Sequence, residues 1–134
     1  MENAGILIVE DDYITATDLD FRLRRLGYAV RAICATGEEA ILQARTLLPD
    51  LVIMDIKLDG PMDGIKAGRI LTCDLKLPVI FLTAMSDQET LHRSRQAQPL
   101  GFVTKPVSDY QLKKVIDQAL SLARLDHPVS PESP

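Results

Sequence analysis

"LVIMDIKLDG", residues 51–60, sets the apolar run Leu51 to Met54 directly before the carboxylate of Asp55. So short an apolar run, bounded by turn formers, has the length of a buried strand rather than of a helix. A charge buried without partners is expensive. Asp55 is therefore either an ordinary loop residue just past the strand or a carboxylate that the sheet holds out for chemistry.

Strand-like and helix-like segments alternate on both sides of this stretch. Upstream, "GILIVE" (5–10) is a short apolar run ended by acids. "DYITATDLDFRLRRLG" (12–27) places Ala16, Leu19, Leu23 and Leu26 at helical spacing and stops at Gly27. "YAVRAIC" (28–34) is a strand whose alternating character suits a sheet edge. "TGEEAILQARTLLP" (36–49) has Thr36 three residues before Glu39, a capping box, and closes at Pro49. Downstream, "MDGIKAGRILTCD" (62–74) reads as a helix capped by Asp63, with Ile65, Ile70 and Leu71 on its apolar side. "PVIFLTA" (78–84) is the fourth strand, and "SDQETLHRSRQAQ" (86–98) a helix opened by a Ser86–Glu89 capping box. "LGFVTKP" (100–106) is the fifth strand, and "SDYQLKKVIDQALSLAR" (108–124) the last helix, with Leu112, Val115, Ile116, Ala119, Leu120 and Ala123 as its stripe.

Five βα units with near-continuous apolar strands predict an α/β fold, a doubly wound parallel sheet covered by helices on both faces. The strands at 6–9, 51–54 and 79–82 read as the most buried. The reading is one domain over residues 1–125, with the proline-containing segment 126–134 as a flexible tail or the start of a linker.

Composition narrows the function classes. Apolar residues make up 46% and charged residues 25%, so the chain is globular rather than disordered. A formal net charge of -4 and no basic stripe argue against direct nucleic-acid binding. No apolar stretch reaches the ~20 residues of a membrane span and no signal peptide is visible, which points to the cytoplasm and to no membrane partner. Cys34 and Cys73 have neither metal-site spacing nor neighbouring histidines and read as buried free thiols. His92 and His127 read as surface residues.

Ligands of open α/β sheets bind beyond the carboxyl ends of the strands. Those ends carry Glu10, Asp11 and Asp12 after the first strand, Asp55 after the third, Thr83 at the fourth and Lys105 after the fifth. Asp12 reads as a helix cap. The remaining carboxylates repel one another and call for a cation. An all-oxygen ligand set fits Mg²⁺, or Mn²⁺, with a phosphoryl group as the expected second component. A carboxylate can itself be the nucleophile. Asp55 stands alone after the central strand and is the better candidate, whereas Glu10 and Asp11 suit a metal-holding pair. Lys105 and Thr83 would stabilise charge on the transferring oxygens.

"ILIVEDD", "LVIMDIKL", "MDGI", "PVIFLTA" and "GFVTKP" together resemble the receiver domain of two-component response regulators, over about residues 5 to 124. The resemblance implies a flavodoxin-like (βα)5 fold with strand order 2-1-3-4-5. It implies Asp55 as phosphoacceptor, and Glu10, Asp11, Asp55 and the Lys57 backbone carbonyl as Mg²⁺ ligands. Thr83 and Phe102 match the switch residues, and Lys105 the lysine that contacts the phosphoryl group. It further implies a phosphorelay with a sensor histidine kinase or a histidine phosphotransfer protein. Output would pass through the surface of the fourth helix, fifth strand and fifth helix to an effector domain, a downstream protein or a second copy. In relatives, Lys105–Pro106 would be a cis peptide, and the positions of Lys57 and Met85 tune hydrolysis of the aspartyl-phosphate.

The chain departs from the family at Asp59, where a proline is usual, with Pro61 two residues later and "MDG" one residue late. The loop "KLDGPMDG" is therefore longer or differently shaped. Two other readings compete. A Mg²⁺-dependent aspartyl-phosphate phosphohydrolase needs an acid/base carboxylate two residues past its nucleophile, where Lys57 stands. A flavodoxin-like cofactor domain wants a Ser/Thr/Gly-rich phosphate loop after the first strand, whereas "EDD" repels phosphate in the absence of a metal, and a pure docking domain is disfavoured because the site is complete. The reading is therefore a signalling domain that assists its own phosphorylation and dephosphorylation, not an independent enzyme.

Overall fold

The apolar runs pair side by side, in parallel, because each is followed by a helical crossover long enough to bring the chain back over the sheet. The computed structural model describes residues 4–58, 60–84 and 88–126. In chain order the elements are β1 (Gly5–Val9), α1 (Tyr13–Arg25), β2 (Ala29–Cys34), α2 (Gly37–Leu47), β3 (Leu51–Asp55) and α3 (Gly64–Arg69). They continue as β4 (Val79–Thr83), α4 (Gln88–Ser94), β5 (Gly101–Thr104) and α5 (Asp109–Asp126). All pairings are parallel and the order is β2-β1-β3-β4-β5, as expected for a doubly wound (βα)5 sheet. The Ser86–Glu89 capping box, Asp59, Met85, His127 and the tail 127–134 involve positions outside the described residues.

Strand alternation sorts the core into two layers. Leu7, Val9, Val52, Met54 and Phe81 face α2 and α3, meeting Ala40, Ala44, Ile65, Ala67 and Leu71. Ile6, Ile8, Ile53, Ile80 and Leu82 face α1 and α5, meeting Leu19, Leu23, Leu112, Ile116 and Ala119. Each fully buried Leu, Ile or Phe contributes roughly 1.5–3 kcal/mol, so the three central strands hold the sheet rigid beneath the site. β2 is half-buried or exposed at every position but Cys34, as an edge strand can be.

Helix starts follow the side-chain chemistry. Asp12 accepts from the Thr15 amide at 3.0 Å and Asp63 from the Lys66 amide at 2.9 Å. Thr36 accepts from the Glu39 amide at 3.1 Å, and the Glu39 carboxylate reaches back to the Ala35 amide at 3.0 Å.

Three expectations need correction. The helix expected over 62–74 is α3 followed by a π-helical turn, Ile70–Asp74, closed by the Leu75 amide on the Ile70 carbonyl at 3.2 Å. Apolar periodicity over so few residues does not separate a four-residue from a five-residue ladder. The helix expected over 86–98 ends early, in a 3₁₀ turn (Arg95–Ala97) and a left-handed Gln98; the segment is mostly polar, and among its described side chains only those of Ser94 and Ala97 are buried. Cys34 is buried but Cys73 is half-exposed; both are free thiols.

Burial, with a smaller contribution from the Glu39 charge, pushes the Cys34 thiol up to about 12. Native protein at pH 8 is therefore expected to take up a small alkylating agent at Cys73, with Cys34 labelled only in urea. Peptide mapping reads this directly, and equal labelling of both thiols in the native protein would contradict it.

Candidate functional site

Because all five strands run in parallel, their carboxyl ends meet at one edge, and the order puts the ends of β1, β3, β4 and β5 next to one another. The Glu10 amide donates to the Cys34 carbonyl at 2.9 Å, extending the β1–β2 ladder by one step and fixing where Glu10 emerges. Asp55 is the last residue of β3, paired with Leu82, and the next amide, Ile56, bonds the Leu82 carbonyl at 3.2 Å. The Lys105 amide bonds the Thr83 carbonyl at 2.8 Å, so β5 stays attached to β4 up to the lysine.

The side chains then converge. Lys105 Nζ lies 3.0 Å from Asp55 Oδ2 and 3.2 Å from Glu10 Oε1. Asp55 Oδ1 accepts from the Lys57 amide at 3.1 Å, and Glu10 Oε2 from the Asp12 amide at 3.1 Å. One carboxylate oxygen from each of Glu10, Asp11 and Asp55 falls within 4.8 Å of the others. Three carboxylates against one ammonium leave an excess of negative charge, and the donors are hard oxygens throughout. That set suits a divalent cation of the Mg²⁺ type better than a soft metal.

Electrostatics express the same crowding. Glu10 is 3% exposed. Burial pushes its carboxyl up to about 7; the Asp12 amide and Lys105 pull the other way, and the Asp55 charge adds to the rise. For Lys105, burial opposes the charged form but is outweighed by Asp55 and Glu10, and its pKa stands raised. Asp12 is a helix cap held below its usual range by Thr15, and is not part of the carboxylate cluster.

Thr83 is buried at the end of β4 and pairs with Thr104. Phe102, two residues before Thr104, is half-buried, its ring centroid 6.0 Å from that of Phe81. Strand alternation sets Phe81, Thr83 and Phe102 on the same face. Lys57 has an exposed side chain, and Leu58 beside it is 8% exposed. The Lys105–Pro106 peptide is cis.

Gly64, the glycine of "MDG", closes the loop after Asp55. Its amide bonds the Ile56 carbonyl at 3.0 Å, and a Cβ there would press into the carbonyl oxygens of Asp55 and Ile56. The signal was available in the glycine directly after a capping aspartate.

Fold and site together define a receiver-type module of two-component signalling. The chain matches the response regulator receiver domain family over residues 6–117. It is 35% identical over 119 residues to the transcriptional regulatory protein PdtaR of Mycobacterium tuberculosis, covering 89% of this chain and 58% of that protein. It is 33% identical to the transcriptional regulatory protein ZraR of Klebsiella oxytoca, covering 99% of this chain and 30% of that one. Among solved structures it resembles the signal receiver domain of a modulated diguanylate cyclase from Desulfovibrio desulfuricans G20. That match has a TM-score of 0.89 at 37% identity and covers 93% of this chain and 99% of that domain.

The chain belongs to the response regulator receiver domain family, and it spans little more than half of PdtaR and under a third of ZraR. Among the described residues no helix is long and apolar enough to cross a membrane.

A Mn²⁺ titration followed by paramagnetic broadening is expected to bleach the amides around Glu10, Asp11 and Asp55 first. Asp11→Ala should weaken binding about tenfold or more, because it removes a charged oxygen ligand from a site that has few. Equal broadening in wild type and variant would mean that the cluster is only a crowded surface.

Proposed function

We propose that Asp55 accepts a phosphoryl group from a phosphohistidine of a sensor kinase or phosphotransfer protein. An Asp55 carboxylate oxygen attacks phosphorus as the P–N bond breaks, and the bonding pair leaves with the imidazole nitrogen of the donor. The observation that carries the reading is the Lys105 ammonium, bonded to Asp55 and Glu10 beside a cluster of three carboxylates. A strand-end aspartate would not need that arrangement if it were only a loop cap.

Glu10, Asp11, Asp55 and the Lys57 backbone carbonyl would hold Mg²⁺ (Mn²⁺ can substitute), which supplies charge neutralisation for the transferring oxygens. Lys105 stabilises charge on one phosphoryl oxygen, and the Thr83 hydroxyl donates to another. Drawing Thr83 toward the phosphoryl group vacates space on the face it shares with Phe102. The ring can then turn further inward against Phe81 and alter the surface of α4, β5 and α5. That surface is the proposed output, to an effector domain, a downstream protein or a second copy. The proposed receiver unit is residues 1–125, a boundary one residue short of the last residue of α5, with 126–134 as tail or linker.

Incubation with Mg²⁺ and a small phosphoramidate donor, quenched rapidly, should add the mass of one phosphoryl group to the wild type and nothing to Asp55→Asn. A phosphoryl group that persists in Asp55→Asn would sink the assignment. Steady multiple-turnover release of phosphate from a small ester would favour a phosphohydrolase instead.

A further inference from the structure

The turn that carries Lys105 is fastened at both ends, and one fastening comes from outside the site. On its strand side the Lys105 amide is held by the Thr83 carbonyl at 2.8 Å. On its helix side, Ser108 caps α5 by accepting from the Gln111 amide at 3.1 Å. Between them, Arg22 reaches across from α1. Its Nε donates to Asp109 Oδ1 at 2.7 Å, and a terminal nitrogen donates to the Val107 carbonyl. Arg25, one turn along, donates to the other oxygen of Asp109. The Arg22 side chain is only 17% exposed, unlike that of Arg25 at 52%, so its bonds are better shielded from water than those of a surface pair.

We propose that Arg22 is a positioning residue for Lys105: by clamping Val107 and Asp109, two and four residues beyond the lysine, it holds the ammonium over Asp55 and Glu10. The inference rests on the phosphoacceptor reading and assigns a residue to it outside the strand-end cluster. A lysine side chain is long and has many rotamers, so its placement depends on a fixed backbone. A planar guanidinium can hold a carbonyl and a carboxylate at once in a fixed fork, which a single ammonium does less well. Because α1 begins three residues after Glu10, the same helix that follows the acidic pair also sets the height of the lysine opposite it.

The test compares Arg22→Met, Arg22→Lys and Asp109→Asn in phosphoryl uptake from phosphoramidate at saturating Mg²⁺, each first checked for folding by thermal unfolding. Arg22→Met should slow uptake about tenfold, since misplacement of a catalytic group by about an ångström is enough for such losses. Its Mg²⁺ affinity should be unchanged. Arg22→Lys should fall between it and the wild type, and Asp109→Asn, which keeps the Val107 link, should lose less. In a Lys105→Ala background, Arg22→Met should have no further effect. A purely structural α1–α5 tie would instead give additive losses.

A second readout needs no phosphate. Hydrogen exchange of the Lys105 amide should accelerate in Arg22→Met, while that of the Ile56 amide should not. A wild-type uptake rate in Arg22→Met, additivity with Lys105→Ala, or unchanged exchange at Lys105 would each overturn the proposal. Were the wild type itself to take up no phosphate, the phosphoacceptor reading would fall, and the exchange measurement alone would decide the clamp.

Discussion

The ammonium of Lys105, bridging Asp55 and Glu10, is what allows three carboxylates to share one end of the sheet. With carboxylate oxygens within 4.8 Å of one another and an effective dielectric of about 20, two full charges that close repel by about 3.5 kcal/mol or more. One lysine offsets part of this and leaves the burial of Glu10 uncompensated, which is why that carboxyl is pushed up to about 7. The site is an electrostatic deficit held in place by a rigid sheet. Any dication or phosphoryl group that enters meets side chains already gathered for it, so little reorganisation is needed at the moment of reaction.

Only the core could hold such an arrangement. β1, β3 and β4 are buried along almost their whole length, and each delivers one polar residue immediately past its last apolar position. A register slip of one residue would turn every inward side chain outward, so the same pattern that fixes the pairing also fixes the position of each site residue. The site thereby draws on the stability of the whole sheet, while the helical surface proposed as output is built from its less buried side.

Much of this was legible in the residues. Near-continuous apolar strands alternating with amphipathic segments called for the doubly wound sheet, and the short-range caps at Asp12, Thr36 and Asp63 followed from side-chain type. Glu10, Asp11, Asp55 and Lys105 were found because the topology sends every strand end to one edge, and the structure brings them together there. Less was visible where the outcome depends on distant packing. The π-helical turn after α3 and the early end of α4 leave no distinct mark in the local apolar periodicity; Leu71 in the one and Ala97 just after the other are both buried in the same core layer. Arg22 belonged to an ordinary-looking "RLRR", and nothing local marks a residue whose partners lie 85 and 87 positions away.

The unusual loop after Asp55 has its own lesson. The Ile56–Gly64 hydrogen bond pinches its two ends together directly beneath the phosphoacceptor candidate, and Gly64 allows the backbones to touch. What lies between is a closed excursion, and lengthening such a closed loop costs little entropy. The Ile56–Gly64 bond therefore holds the chain on both sides of the excursion, so a change of length within it is expected to leave the aspartate at its mouth in place. The length of the excursion is thereby insulated from the strand end that carries Asp55.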